Sequence, residues 1–202
     1  MALIVQAGDP VLRKAAAPVP AEKLGTTDLQ ALIDEMVSTM RAAPGVGLAA
    51  PQIGVDWQLL VAEDDDPDGS HLTEAERTDR ARTRLPLIAI VNPKLEMLGP
   101  ARATFFEGCL SVSGWTALVT RALEVRVKGL TPAGEPLELQ LAGWPARILQ
   151  HEVDHLNGIL YVDRMHSRSF ARTDLAHDVW GDKLISEVAA TLGIDLGRST
   201  LS

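Results

Sequence analysis

The stretch that decides the fold runs from residue 146 to residue 157 and reads Ala146-Arg147-Ile148-Leu149-Gln150-His151-Glu152-Val153-Asp154-His155-Leu156-Asn157. Pro145 suits the first turn of a helix and Gly158 suits the residue just past its end, so the whole stretch is predicted to be helical. Residues four apart share a helix face with Cβ atoms about 5–6 Å apart, so His151 and His155 can bind one metal ion. Glu152 is turned about 100° from His151. It is poorly placed as a third ligand but close enough to act on a water at the metal.

A second segment surrounds the only cysteine of the chain and reads Phe106-Glu107-Gly108-Cys109-Leu110-Ser111. The pattern predicts the end of a strand with a β-bulge, a feature that often turns a side chain toward a site. A lone cysteine is usually a buried thiol. Beside two helical histidines, however, Cys109 becomes a candidate third ligand, with a fourth position open to water. Sulfur and nitrogen ligands alone would point first to zinc.

The third segment, Gly45-Val46-Gly47-Leu48-Ala49-Ala50-Pro51-Gln52-Ile53-Gly54, is rich in small residues. Its glycines allow another backbone to approach closely. It lacks both the third glycine of a dinucleotide-binding loop and the Gly-Lys-Ser/Thr of a phosphate-binding loop. Taken alone, Gln52 is typical of an exposed loop amide.

The other predicted elements make an α+β protein. Thr27 or Asp28 is expected to cap an N-terminal helix that ends before Pro44. Strands are predicted at 59–62 and 87–91, a hairpin at 123–127 and 137–141 with a turn at 131–134, and a C-terminal helix around 182–192. The apolar positions of the N-terminal helix recur at the i, i+3, i+4 spacing of a buried face: Leu29, Leu32, Ile33, Met36, Val37 and Met40.

Composition limits the function classes. The chain has 202 residues, 46% of them hydrophobic, which suits one folded domain over 1–202. Its net charge of −8 argues against a nucleic-acid substrate. No run approaches the roughly 20 apolar residues of a membrane span, and no basic region precedes the short apolar start, so the expected compartment is a reducing cytoplasm.

Two segments are set apart by charge. Residues 63–84 contain eight acids and four arginines and are predicted to be a solvated surface insertion, with a short helix around 73–82. Residues 166–202 form a C-terminal tail with four basic and five acidic side chains. The tail therefore offers no net positive charge for neutralising the phosphates of a nucleic acid.

Together, the three segments resemble, in order and spacing, the three signature motifs of the peptide deformylases. The start Gly8-Asp9-Pro10-Val11-Leu12-Arg13 and the stretch Leu160-Tyr161-Val162-Asp163-Arg164-Met165 are also similar to that family, so the resemblance covers roughly residues 6 to 168. The chain departs from the family pattern at Ser113, where proline is frequent, and in the 63–84 insertion. Neither departure touches an expected ligand.

The resemblance implies a metal-dependent hydrolase of a linear amide that removes the formyl group from N-formyl-methionyl nascent peptides and releases formate. Cys109, His151 and His155 would bind one Fe²⁺, for which Zn²⁺, Ni²⁺ or Co²⁺ can substitute. Glu152 would be the general base and acid, while Gln52 and the Leu110 backbone N–H would hold the oxyanion.

The same resemblance implies a set of substrate-binding residues. Trp144, Ile148 and His151 recur at a spacing that shares one helix face, which is expected to carry the pocket for the methionine side chain. The segment around Gly47 is expected to pair with the peptide backbone as an added strand. The expected substrate-binding residues are Val46, Gly47, Glu107, Gly108, Trp144 and Ile148.

Two other classes of protein share part of this pattern. A zinc endopeptidase also uses His-Glu-x-x-His but needs a downstream ligand, and position 161 is Tyr while Glu187 is 32 residues beyond His155. A structural metal site would usually have four protein ligands. The presence of Glu152 and Gln52, which a structural site does not need, favours an enzyme.

Overall fold

The computed structural model describes residues 1–43, 45–65 and 81–196. In these ranges, short 3₁₀ turns join four α-helices and six strands. The helices are α1 (Thr27–Ala42), α2 (Gly143–Leu156), α3 (Thr173–Trp180) and α4 (Ile185–Leu192). The strands are β1 (Gly47–Ala49), β2 (Leu59–Asp64), β3 (Leu85–Gly108), β4 (Trp115–Leu130), β5 (Pro136–Ala142) and β6 (Ala171–Arg172).

The strands form one antiparallel sheet with the order β1-β2-β3-β4-β5, and β6 pairs with β4. The predicted hairpin is confirmed, since Val125 lies opposite Leu141 and Val127 opposite Leu139. The helix α2 packs on this sheet, and its Leu149 shares a buried apolar cluster with residues of β2, β3, β4 and β5. The predicted α+β architecture, with antiparallel strands around a central helix, is therefore confirmed.

The strand β3 is much longer than the predicted 87–91. Pro93, Gly99 and Pro100 break the alternation of apolar and polar residues and are typical of turns. In the structure the register with β4 shifts between Val91 and Lys94 and between Leu98 and Arg102, so the strand passes these residues through irregular pairs. The bulge predicted near Gly108 is wrong, because Glu107 and Gly108 pair with Ala117 and Thr116 without a shift.

The N-terminal helix α1 has the predicted buried face. Leu29, Ile33 and Met36 are buried and pack in a cluster with residues of β1 and β2. The predicted cap was one or two residues too late. Thr26 caps the helix, with its hydroxyl accepting the Leu29 N–H at 3.3 Å, because the helix already begins at Thr27.

The helix α2 matches the predicted metal-binding helix. It begins at Gly143, which places Pro145 in the first turn, and it ends at Leu156. Gly158 follows with a φ of +72°, and a Cβ at this position would lie 2.7 Å from the Arg13 carbonyl carbon. The close approach and the left-handed backbone together explain the glycine.

The tail and the acidic insertion depart from the predictions. The predicted tail helix is α4, but α3 and β6 were not predicted. At the described ends of the insertion, Asp64 and Arg82 form a buried ion pair, whereas Asp65 and Arg84 are exposed, in keeping with a solvated segment. Most of the predicted 73–82 helix lies outside the described residues, and Arg82 itself is not helical. Among the described residues, no helix is long and apolar enough to cross a membrane.

Candidate active site

Two elements bring the three expected ligands together. The helix α2 presents His151 and His155 on one face, with ring centroids 5.0 Å apart. Cys109 follows the last residue of β3, and its Sγ lies 3.3 Å from His155 Nε2. One ligand atom from each of the three residues lies within 4.8 Å of the other two.

Glu107 fixes the orientation of His151. Its Oε2 lies 3.0 Å from His151 Nδ1, so Nδ1–H donates to the carboxylate and Nε2 remains for an ion. Burial alone would raise the pKa of Glu107, but Arg121 and His151 outweigh it and hold the pKa well below the usual range. Glu107 is therefore an ionised acceptor.

The two histidines have opposite pKa shifts. Burial and the neighbouring His151 lower the pKa of His155 well below its usual value, which keeps its imidazole neutral as a metal ligand requires. Burial also acts to lower the pKa of His151, but contacts with Cys109 and Glu107 raise it overall. The surroundings of His151 thus stabilise positive charge beside the thiol.

The residues present fit a divalent ion. An ion about 2.0–2.3 Å from each sulfur or nitrogen donor needs tetrahedral donors separated by about 3.3–3.7 Å. The Cys109–His155 pair is at that separation. Three protein donors also leave one position for water.

Glu152 lies beside this candidate metal cluster but is not part of it. It is buried, and its Oε2 has no hydrogen-bond partner among the described residues. Burial raises its pKa to about 7. A cation at the ligand atoms would favour the ionised form, because opposite charges stabilise each other. The carboxyl group is thus placed to take or give a proton near neutral pH.

Gln52 is buried, contrary to what the residue type alone predicts. It lies in the 3₁₀ turn Ala50–Ile53 after β1. Its Oε1 accepts the Ala49 N–H at 2.8 Å, which directs Nε2 toward Ser111 Oγ at 3.3 Å and Cys109 Sγ at 3.6 Å. The Gln52 side-chain amide is therefore held with its N–H groups facing the Cys109 thiol.

An open cleft of about 630 Å³ surrounds these groups. Trp144 is partly buried and Ile148 is 4% exposed, so Ile148 belongs both to the core and to the cleft wall. Gly47 approaches Glu152 so closely that a Cβ would lie 2.3 Å from Oε1. The predicted substrate-binding residues all line this cleft: Val46, Gly47, Glu107, Gly108, Trp144 and Ile148. Leu110 lines it as well.

The sequence reasoning missed the arginines beneath the cleft. Arg121 donates to Glu107 and to Asp154, and Arg147 donates to Glu107. Arginine on a strand or helix is mostly exposed, so residue type gave no reason to place these two inside. One signal was present, since Arg147 precedes His151 by four residues on the same helix.

This arrangement is typical of one class of protein, the metal-dependent hydrolases: three side chains could hold an ion, and a buried carboxyl group, Glu152, lies beside them. The model of the family described as Polypeptide deformylase matches residues 1–171. The chain belongs to the polypeptide deformylase family. It is a hydrolase that removes the formyl group from the N-terminal formyl-methionine of newly made polypeptides and releases formate.

Relatives and solved structures agree with this assignment. Peptide deformylase 1A, chloroplastic, of Solanum lycopersicum is 50% identical over 167 residues, which cover 83% of this chain and 60% of the relative. Peptide deformylase 1 of Streptomyces coelicolor is 44% identical over 193 residues, covering 96% and 86%. A class I type b peptide deformylase from Acinetobacter baumannii with Met-Ala-Ser bound has a TM-score of 0.72 at 36% identity, covering 81% of this chain and 98% of that one.

The structure does not support the two other classes of protein considered above, a zinc endopeptidase and a structural metal site. Glu187, the downstream glutamate considered as an endopeptidase ligand, accepts the Leu184 N–H at 3.0 Å in the first turn of α4. Among the described residues, the candidate metal cluster contains three ligands, one fewer than a structural site usually has.

Proposed function

We propose that Cys109, His151 and His155 hold one divalent ion, Fe²⁺ in the cell, and that Glu152 is the acid–base group for deformylation. The proximity of three ligand atoms within 4.8 Å of one another carries this proposal. Zn²⁺, Ni²⁺ and Co²⁺ suit the same donors and are expected to substitute. The choice of Fe²⁺ follows family resemblance, since the donor set alone favours zinc.

A bound divalent ion supplies a Lewis acid that lowers the pKa of water and makes a nucleophile available at neutral pH. Glu152 takes the proton that this water loses and later delivers it to the departing amine. Its buried position beside Gly47 keeps bulk water from competing for that proton. The same carboxyl group thus acts first as a base and then as an acid.

Two donors are proposed to stabilise the oxyanion that forms when the formyl carbonyl is attacked. One is Gln52 Nε2, which the Ala49 hydrogen bond directs toward the ligand thiol. The other is the Leu110 backbone N–H, in the segment that carries Cys109. Donors fixed before the reaction stabilise developing charge without reorganising.

The peptide is proposed to bind along β1, with Val46 and Gly47 on one side of it and Glu107 and Gly108 on the other. Among the described strands, β1 pairs with β2 alone, so its other edge is open to an added strand. Trp144 and Ile148 are proposed to form the methionine pocket. Backbone pairing adds affinity without selecting later side chains.

The remaining proposals concern the setting of the enzyme. We propose that 1–202 forms a single catalytic domain, with residues 63–84 as an insertion near the cleft. We also propose a reducing compartment, the cytoplasm. Cys109 binds an ion only as a thiolate, and a reducing compartment keeps that sulfur from being oxidised. Nascent formyl-methionyl peptides are the partners. Ribosome contact is transient at most, and we propose no direct nucleic-acid substrate and no membrane partner.

The ligand assignment is tested by replacing His151 or His155 with Ala. We expect each variant to lose tight metal binding and formate release together, because three ligands leave no spare. Metal content is measured by elemental analysis of the folded protein. His177→Ala, on α3, is the matched control and should keep both. Full metal content in His155→Ala would show that the ligand set is different.

A further inference from the structure

Arg147 is a buried cation under the wall of the cleft. It lies on α2, three residues after Trp144 and four before His151, and its side chain is 5% exposed. Burying a guanidinium costs free energy unless its N–H groups are paired. The hydrogen-bond partners of Arg147 therefore determine where its side chain lies.

The guanidinium group binds the two longest strands. Its Nη2 donates to the Ala103 carbonyl of β3 at 2.6 Å. Its Nη1 donates to the Val119 carbonyl of β4 at 3.0 Å and to Glu107 Oε1 at 2.5 Å. These hydrogen bonds to two backbone carbonyls fix the position of the guanidinium group against β3 and β4.

The same guanidinium group also contacts the proposed methionine pocket. Its central carbon is 5.1 Å from the Phe105 ring centroid and 5.8 Å from that of Trp144. The two rings meet edge to face, with centroids 6.2 Å apart. Cations over aromatic faces attract them, and more strongly when desolvated. Arg147 thus helps set the position of Trp144, a pocket residue.

Glu107 connects this group to the metal ligand. Its Oε1 accepts from Arg147 Nη1 and Arg121 Nε, and its Oε2 accepts from Arg121 Nη2 and His151 Nδ1. Arg121 alone supplies a two-point ion pair that keeps the carboxylate ionised. Arg147 adds a further contact on the oxygen that does not face His151, and so it supports the carboxylate in the orientation that contacts His151.

We propose that Arg147 is a positioning residue that couples the methionine pocket to the metal ligand His151 through Glu107. The proposal rests on the proposed roles of His151 and Trp144. A residue serving the pocket alone would alter peptide selection, and one serving the ligand alone would alter metal affinity. Arg147 is held against both, so its loss alters both.

The test is Arg147→Met, which keeps the length and apolar stem of the side chain but removes the charge and the fork. Two quantities are measured: the Co²⁺ dissociation constant by chelator competition, and the ratio of kcat/KM for formyl-Met-Ala-Ser to that for formyl-Ala-Ala-Ser. Arg126→Met is the matched control, because Arg126 pairs with Glu96 and Glu138 at the surface. Circular dichroism checks the fold of each variant.

We expect Arg147→Met to raise the Co²⁺ dissociation constant about 10-fold. This is the lower end of the roughly 10- to 100-fold effect of losing a group in direct contact with a ligand, because Arg147 acts through Glu107. The preference for methionine over alanine should fall at least several-fold. Arg147→Lys keeps the charge but cannot form the planar fork, so both quantities should shift in the same direction by less. Arg147→Lys also provides the test if Arg147→Met fails to fold.

A folded Arg147 variant with both quantities within twofold of the wild-type values would overturn the proposal. A change in one quantity alone would overturn the coupling. Neither outcome would affect the proposed function, which depends on metal binding and turnover of the wild-type chain and on the histidine variants.

Discussion

At the scale of single residues, the geometry of the site depends on Glu107. A carboxylate has about four acceptor positions, and the four contacts from Arg121, Arg147 and His151 use all of them. Its carboxylate therefore positions His151 and has no acceptor position left for a peptide. Its place in the cleft wall is compatible with the predicted substrate contact through its backbone.

Gln52→Ala tests the oxyanion role. Removing one donor is expected to lower kcat about 10²- to 10³-fold, because the developing charge loses a fixed partner. Metal content should stay complete, since Gln52 is not a ligand. Gln58→Ala removes a comparable amide that donates to the Ala16 carbonyl away from the cleft, and it should keep wild-type turnover. Wild-type kcat in metal-loaded Gln52→Ala would remove Gln52 from the mechanism.

Residue type and spacing predicted the proximity of the candidate ligands better than the contacts that support them. His151 and His155 are separated by one helical turn, and that spacing alone implies proximity. Arg121 and Arg147 reach Glu107 from β4 and α2, and no local pattern reports such a contact. The burial of Gln52 likewise depends on the approach of Cys109 and Ser111, which follow it by more than 50 residues.

At the scale of elements, the insertion is fixed where it joins the sheet. Arg82 donates from Nε and Nη2 to the two carboxylate oxygens of Asp64, at 2.8 and 2.7 Å, and both side chains are buried. At the start of α2, Gly143 lies so close to Ala81 that a Cβ would be 2.3 Å from the Ala81 carbonyl oxygen. The insertion therefore packs, at Ala81, against the start of α2.

Arg82→Ala should destabilise the fold strongly. It leaves the Asp64 carboxylate buried without this partner, and breaking a buried pair in this way costs about 3–5 kcal/mol. The free energy of unfolding is measured by denaturant titration. Arg84→Ala is the control, because Arg84 pairs with Asp65 at an exposed site, and it should change stability little. Equal stability of both variants would contradict the anchoring described here.

Periodic elements were predictable and irregular ones were not. The helix α1 carries a buried face at helical spacing, so pattern and structure agree. The helix α2 is buried on nearly every side, and Pro145 and Gly158 at its ends made it predictable. The strand β3 continues through Pro93 and Pro100 because its pairing with β4 tolerates two register shifts. The helix α3 has eight residues with Ala176 alone buried, so its sequence carries little of the periodicity that identifies a helix.

At the scale of the whole molecule, the charge of the chain predicts weak docking to the ribosome. The tail 166–202 has four basic and five acidic side chains, and the chain as a whole carries −8. Binding to ribosomal RNA depends on neutralising phosphates, so we expect weak association that does not depend on the tail. Cosedimentation with ribosomes at several salt concentrations measures it. Strong, salt-sensitive association that disappears on deleting the tail would contradict the prediction.

The order of the three motifs predicted the family and, through it, the antiparallel sheet around a central helix. Composition and periodicity by themselves led only to an α+β protein with a metal-binding helix. The course of the tail after Met165 depends on contacts such as the pairing of Trp115 with Arg172. These contacts join segments far apart in the chain, so no local sequence pattern predicts them.

The central claim is that three residues hold the ion and Glu152 moves the protons. Formate release from formyl-Met-Ala-Ser under anaerobic conditions, with iron content measured in the same samples, tests it most directly. Anaerobic handling protects the Cys109 thiolate from oxidation.

Wild-type chain and Glu96→Gln, a change at an exposed carboxylate, should release formate equally. Glu152→Gln should keep its fold and iron while turnover falls about 10²- to 10⁴-fold. Near-wild-type formate release by iron-loaded Glu152→Gln would contradict the account.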